Sequence, residues 1–377
     1  MRDSEFNKIL YGSVQKDASD IHMKTGSPVY YRVDGQLFSQ GGTPLGSEDI
    51  ETVLGLMLGS SQLARFKKRG EVDLAYTQKG IGRFRVNVFR QRGGVSIVMR
   101  RIKTKILNFE QLHLPTGVES FADMSRGLVL ITGTTGSGKS TTLAAVIDAI
   151  NASRRCHIVT VEDPIEYLHQ DKLAVVNQRE INIDTQSFSA ALTAAMRQDP
   201  DVILVGEMRD LETFQAAISA TETGHLVFST LHTSNVMQTI DRIIDLFPAN
   251  QHDQIRSQLS LNLRAILCQR LLPRADGTGR VPCCELAVVT PAVRKLIKEN
   301  RITQIEIAIQ QGREEGMQTF NDSLYGLLKA RLITLETALG MSDNPEELNM
   351  MLKGINLNQK RGGILSKTER NPSGGVT

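Results

Sequence analysis

The spacing of apolar positions along the chain changes character near residue 116, and the change predicts two structural parts. In the first, Phe6, Ile9 and Leu10 mark an opening amphipathic helix. Residues 29–33 read as a strand that turns at Asp34-Gly35 and returns through residues 36–39. Ser47, followed by Glu48 and Asp49, starts a second helix. Strands follow at 72–77, 83–90 and 95–102, with turn glycines at Gly80 and Gly82. Alternation in the second of these puts Arg83, Arg85 and Asn87 on one face and Phe84, Val86 and Val88 on the other. Residues 1–101 are therefore expected to form a small α+β domain. Residues 102–115 carry weak periodicity and end in Pro115, as a linker would.

From residue 116 the pattern becomes strand, helix, strand, helix. Short apolar runs at 129–132, 158–162, 202–205 and 226–231 are separated by helical stretches. Such alternation predicts an α/β domain with a mainly parallel sheet covered by helices, extending to residue 354. Residues 355–377 turn to Asn, Gln, Lys, Arg, Gly and Ser and read as a disordered tail.

Composition narrows the class without identifying it. A chain of 377 residues suits two domains, and 40% hydrophobic with 23% charged residues is ordinary for a soluble globular protein. No apolar run approaches the roughly 18 residues of a membrane span. Met1 to Lys8 is charged and carries no signal-peptide pattern, so a cytoplasmic location is expected. The four cysteines (Cys156, Cys268, Cys283 and Cys284) include no Cys-x-x-Cys pair, which argues for free thiols and against a structural zinc site. A net charge of +3 does not call for nucleic acid as a partner.

The candidate chemistry begins at residues 133–140, Gly-Thr-Thr-Gly-Ser-Gly-Lys-Ser, which fit the phosphate-binding P-loop pattern. An apolar strand at 128–132 precedes the run. A helix at 139–153 follows it, with Leu143, Val146, Ile147 and Ile150 on one face. That context separates a P-loop from a glycine-rich turn. Gly133, Gly136 and Gly138 let the backbone close on an anion at a helix N-terminus, with Thr134, Thr135 and Ser137 completing the loop. Lys139 would reach the β/γ-phosphates and the Ser140 hydroxyl would ligate Mg²⁺, with Thr141 next to it.

Three further segments sit at predicted strand ends, where α/β sites form. Residues 159–166 carry Glu162 and Asp163 to the end of one strand, where paired carboxylates can orient water. Residues 201–207 end a buried strand in Gly206-Glu207, where P-loop proteins more often place Asp. Glu207 is therefore better placed to polarise an attacking water than to bind the metal. His232 tops the 226–231 strand, where it could sense a γ-phosphate or be an ordinary loop histidine. Arg85 and Arg100 are candidates to neutralise transition-state charge, against the simpler reading of a solvated sheet face.

Taken together these segments resemble the Walker A, Asp, Walker B and His boxes of the secretion-type ATPases. They read Gly-Thr-Thr-Gly-Ser-Gly-Lys-Ser-Thr, Thr-Val-Glu-Asp-Pro-Ile-Glu-Tyr, Ile-Leu-Val-Gly-Glu-Met-Arg-Asp and Ser-Thr-Leu-His-Thr-Ser. Within that superfamily the chain is similar to the type IV pilus retraction ATPases, the PilT/PilU group, over residues 1 to about 353. Ser-Asp-Ile-His at 19–22, Arg-Phe-Arg-Val-Asn at 83–87, Asn-Gln-Arg-Glu at 177–180 and Glu-Thr-Gly-His at 222–225 belong to the likeness.

The resemblance implies a PAS-like N-terminal domain, a RecA-like motor domain and a homohexameric ring. It implies ATP and Mg²⁺ at Lys139, Ser140 and Thr141, hydrolysis carried by Glu162 and Glu207, and His232 in the His box. Arg85 and Arg100 match arginines that reach in from an adjoining N-terminal domain. It also implies an inner-membrane pilus platform protein as partner, with action at the cytoplasmic face of that membrane. Assembly and type II secretion ATPases carry a longer N-terminal extension and usually a four-cysteine zinc module, neither of which these residues contain. The retraction group's Ala-Ile-Arg-Asn-Leu-Ile segment appears as Ala-Val-Arg-Lys-Leu-Ile at 292–297. Lys295 replaces Asn there, which keeps open an accessory role beside a paralogous retraction ATPase. The rival readings are a RecA-like DNA translocase and a nucleotide-switched scaffold without turnover. The weak net charge opposes the first, and the intact Lys139, Glu162, Glu207 and His232 oppose the second.

Overall fold

The structure, a computed structural model, describes residues 1–33, 35–102 and 105–354. Asp34 of the expected hairpin turn, Lys103 and Thr104 of the expected linker, and the expected tail at 355–377 lie outside the described residues.

In chain order the first elements are α1 (Asp3–Gln15), β1 (Asp20–Lys24), β2 (Tyr30–Val33), β3 (Gln36–Ser39), α2 (Ser47–Met57), α3 (Ser60–Arg69), β4 (Glu71–Gln78), β5 (Gly82–Gln91) and β6 (Gly94–Arg101). The next are β7 (Gly127–Thr132), α4 (Lys139–Ser153), β8 (His157–Glu162), β9 (Val175–Glu180), α5 (Phe188–Ala195), β10 (Val202–Val205), α6 (Leu211–Glu222) and β11 (Leu226–Leu231). Then come α7 (Val236–Asp245), α8 (His252–Asn262), β12 (Leu263–Pro273), β13 (Arg280–Val288) and α9 (Pro291–Lys298), before short helices that run to Leu352.

The chain forms two compact units. Among the described residues, one comprises those of 1–108, 122–127 and 140–229, and the other those of 109–121, 128–139 and 230–354. The first unit holds an antiparallel sheet in the order β3-β2-β1-β6-β5-β4. Its buried face is built as the alternation predicts: Phe84, Val86 and Val88 of β5 are fully buried, packed with Phe6 and Leu10 of α1 and Ile50 and Val53 of α2. At the start of α2 the Asp49 carboxylate accepts from the Gly46 amide at 2.8 Å, satisfying a donor at the helix N-terminus. The same unit contains a run of parallel strands in which β10 lies between β11 and β8, and β9 follows β8.

In the second unit β7 runs parallel to β12, which pairs antiparallel with β13. All six residues of β7 are buried. The helix expected after the P-loop is α4, which from Ser140 onward belongs to the first unit, and Leu143, Val146, Ile147 and Ile150 form its buried face as predicted.

Among the elements that went unread in the sequence are β1, α3, β9 and both strands of the β12–β13 hairpin. β1 is five residues, Asp-Ile-His-Met-Lys, too short and polar to stand out. α3 buries only Phe66. β9 begins on the exposed Val175 and has no buried residue before Glu180. The β12–β13 hairpin is so apolar that its periodicity cannot be told from that of a buried helix.

Within the second unit one buried acid is out of balance. The Glu285 carboxylate, on β13, accepts from the Val236 amide at 2.8 Å at the start of α7. Burial pushes its pKa up to about 7, with Glu306 and Asp343 adding to the rise and Arg270 opposing it. The unfolded value is about 4.3, so the folded protein holds this proton more tightly. Its contribution is complete below that value and is lost as pH rises to about 7. The thermal midpoint of the parent should therefore fall relative to Glu285→Gln as pH is raised from 4.5 to 7.5. Parallel midpoint curves for the two proteins would contradict the assignment.

Candidate nucleotide site

The P-loop is held by its own backbone. Gly133, Gly136 and Gly138 all have positive φ, at 144°, 80° and 93°. Gly133 carries the tightest constraint: a Cβ there would lie 2.3 Å from the Gln269 carbonyl oxygen on β12 and 2.5 Å from Ser137 Oγ. Lys139 Nζ folds back over the loop and donates to the carbonyls of Gly133 at 2.7 Å and Thr134 at 3.1 Å. The buried Ser137 hydroxyl has no hydrogen-bond partner. Thr134, Thr135 and Gly136 form the exposed rim. The N-terminus of α4, a lysine resting on carbonyls and an orphaned hydroxyl suit a polyphosphate. The Gly133 amide also donates to the Leu231 carbonyl at 3.3 Å, so the exposed His232 is the next residue beyond the loop's first backbone contact.

In the other unit α4 continues through Ser140 and Thr141. Thr141 Oγ1 and the Tyr167 hydroxyl are 2.9 Å apart, which ties the helix start to the segment after Glu162. Ser140, one residue earlier, is half-buried in the first turn of α4.

Glu162 closes β8. Its Oε1 accepts from Thr160 Oγ1 at 2.7 Å and from Gln178 Nε2 at 3.1 Å. Burial nevertheless pushes its pKa up to about 7, and the two hydrogen bonds only moderate the rise. A carboxyl poised there can exchange a proton near neutral pH.

Gly206, the residue that departs from the common P-loop pattern, has a packing cause. Its amide donates to the Val161 carbonyl at 2.8 Å, and a Cβ would meet both that oxygen and Glu162 Cα at 3.3 Å. The missing side chain lets the ends of β10 and β8 converge, so Glu207 emerges beside Glu162's strand. Glu207 Oε2 pairs with Arg209 Nη2 at 2.7 Å, and Asp210 caps α6 by accepting from the Thr213 amide at 2.8 Å.

Arg85 and Arg100 lie on the antiparallel sheet, apart from the strands that carry Glu162 and Glu207. They are direct cross-strand partners on β5 and β6, a like-charge pair that would by itself destabilise the sheet. Asp20 on β1, opposite Arg100, offsets this. Its Oδ1 accepts from Arg100 Nε at 2.9 Å, and its Oδ2 lies 3.8 Å from Arg32 Nε. Asp20, Arg209 and Gln178 escaped the sequence reading. Each carried a signal only as part of a segment already singled out, Asp20 at 19–22, Gln178 at 177–180 and Arg209 in the Ile-Leu-Val-Gly-Glu-Met-Arg-Asp run.

The strand–loop–helix from β7 through the loop to α4 defines a P-loop nucleotide-binding α/β protein. The chain belongs to the type II/IV secretion system protein family, whose pattern matches residues 3–339. It is 44% identical to the type IV pilus retraction ATPase PilT of Pseudomonas aeruginosa over 342 residues, covering 91% of this chain and 99% of that protein. It is 43% identical to the type IV pilus ATPase PilU of the same organism over 350 residues, covering 93% and 91%. The crystal structure of the pilus retraction motor PilT with bound ADP superposes with a TM-score of 0.85 at 45% identity, covering 93% of this chain and all of that one. No helix among the described residues is long and apolar enough to cross a membrane.

Two tests follow from this geometry. Gly133→Ala should weaken nucleotide binding by more than about tenfold, because neither clash can relax without moving β12 or the loop. Gly136→Ala meets open space and should cost only the left-handed backbone strain of about 1–2 kcal/mol. Equal affinities for the two variants in a fluorescent-nucleotide titration would contradict this. In the nucleotide-free protein, carboxyl-labelled NMR should show Glu162 titrating near pH 7, and higher in Thr160→Val, which removes a stabilising donor. A Glu162 value in the ordinary carboxylate range would overturn the reading.

Proposed function

We propose that this chain is an ATP-hydrolysing hexameric motor that drives type IV pilus retraction. The observation that carries the proposal is the P-loop itself, with Lys139 laid across the loop carbonyls and Ser137 Oγ unpartnered, in a chain similar to PilT along nearly all of its length. Gly133 to Thr141 hold the phosphates of ATP, and Ser140 supplies a ligand to Mg²⁺, whose chemistry is charge neutralisation on the phosphates. Glu207 orients the attacking water and Glu162, poised near neutrality, assists it. His232 reports on the γ-phosphate from the strand end beside the loop. Arg85 and Arg100 act from the N-terminal domain of an adjoining subunit.

In this reading residues 1–101 are the PAS-like domain, 102–115 the hinge and 116–354 the RecA-like motor. Support comes from the separate antiparallel sheet and core of the first hundred residues. Closure around ATP and release after hydrolysis would move one domain against the other, a hinge switch of a known kind. The partner is the inner-membrane platform protein at the base of the pilus, reached from the cytoplasm, and no nucleic acid is involved.

One observation favours a second reading, an accessory motor that assists a paralogous retraction ATPase. Lys295 stands where the retraction group has Asn. On α9 Val293 and Ile297 are buried, while Lys295 is exposed and 3.8 Å from Glu299. The near-equal identity to PilT and PilU leaves both roles compatible with the sequence.

Steady-state phosphate release by the purified protein tests the enzyme assignment. Wild type should turn over ATP, and Lys139→Ala and Glu207→Ala should each lose at least about a hundredfold in kcat, the scale of a lost transition-state contact. Full turnover in Glu207→Ala would sink the role given to that residue, and full turnover in both would sink the site.

A further inference from the structure

Outside the residues given roles above, one buried acid joins the segments on which those roles depend. Glu180 ends β9 and is the direct register partner of Glu162 at the end of β8. Its carboxylate accepts from the amide of Ile165, in the segment immediately after Glu162. The same carboxylate faces Arg83 of β5, with Oε2 3.8 Å from Nη2. Alternation places Arg83 and Arg85 on one face of β5, and Arg85 also adds to the positive field at Glu180.

The Arg83–Glu180 pair is desolvated but not consummated. The Glu180 and Arg83 side chains are 6% and 23% exposed. Glu180 Oε2 and Arg83 Nε are both buried without a hydrogen-bond partner. Such a pair adds little net stability, because the cost of burial offsets the attraction. It does fix geometry, since either charge left alone would be costly.

We propose that Glu180 is a positioning residue for ATP turnover, paired with Arg83: it clamps the segment after Glu162 and holds the arginine-bearing strand β5 in register with it. The two ends of the clamp then move together, so the setting of Glu162 and the presentation of Arg85 are one adjustment. This inference rests on the ATPase reading above.

The test compares kcat and KM for ATP in the full-length hexamer. Glu180→Gln keeps an acceptor for the Ile165 amide and the shape of the side chain, and removes only the charge that holds Arg83. It should lower kcat by about tenfold, and up to about a hundredfold, with KM changed less than about threefold. Arg83→Gln should do the same, and Arg83→Lys should recover most of kcat. The double variant Arg83→Gln/Glu180→Gln should lose no more than either single one, because both remove the same contact. Unchanged kcat in Glu180→Gln, additive losses in the double variant, or equal impairment by Lys and Gln at 83 would each overturn the proposal. So would loss of the hexamer or of the folded state in the glutamine variants, since the pair would then hold the fold rather than position the site. A wild-type protein without turnover would instead sink the ATPase reading.

Discussion

The structure depends on how closely the P-loop backbone approaches strand β12. At Gly133 there is no room for a methyl group between the loop and the Gln269 carbonyl, and the Ser137 hydroxyl occupies the remaining space. That approach needs β7 and β12 to run parallel in fixed register, Cys268 beside Thr132, which the buried apolar residues of both strands enforce. Once the loop is so placed, Lys139 finds carbonyls to rest on, and α4 starts where an anion would be stabilised by the helix N-terminus. Sequence, packing and chemistry meet in a single glycine.

A second glycine does comparable work in the other unit. Gly206 lets the ends of β10 and β8 converge and so brings two carboxylate-bearing strand ends side by side. The usual P-loop arrangement places an acid at this position. Here the acid moves one residue on, and the tight packing at Gly206 accounts for the shift. Glu162 is raised by burial toward neutrality, while Glu207 pairs with Arg209. Two carboxylates with different environments can divide the work of orienting water and exchanging a proton.

Much of this was legible in the chain. The strands β10 and β11 and the helix α4 have the bounds that their apolar runs suggest, because each is buried and uninterrupted. The phosphate loop was legible because its glycines, lysine and serine sit in register after a strand. What the sequence hid is chemistry that depends on neighbours distant in the chain. Asp20 matters because β1 lies beside β6, which places it against Arg100 eighty residues away. Glu180 matters because β9, too polar to read as a strand, lines up with β8. The β12–β13 hairpin stayed hidden for the opposite reason: residues 265–269 and 281–287 are buried without interruption, so no alternation distinguishes strand from helix.

The central claim is that ATP turnover at this P-loop shortens pili. It is tested most directly by imaging fluorescently labelled pili in cells whose only retraction ATPase is this chain, as wild type or as Lys139→Ala. The account predicts that pili extend and then shorten with the wild-type protein, and extend without shortening with the variant. Shortening that is equal in the two, or absent in both, would contradict it; absence in both would leave this chain as an assistant to another motor.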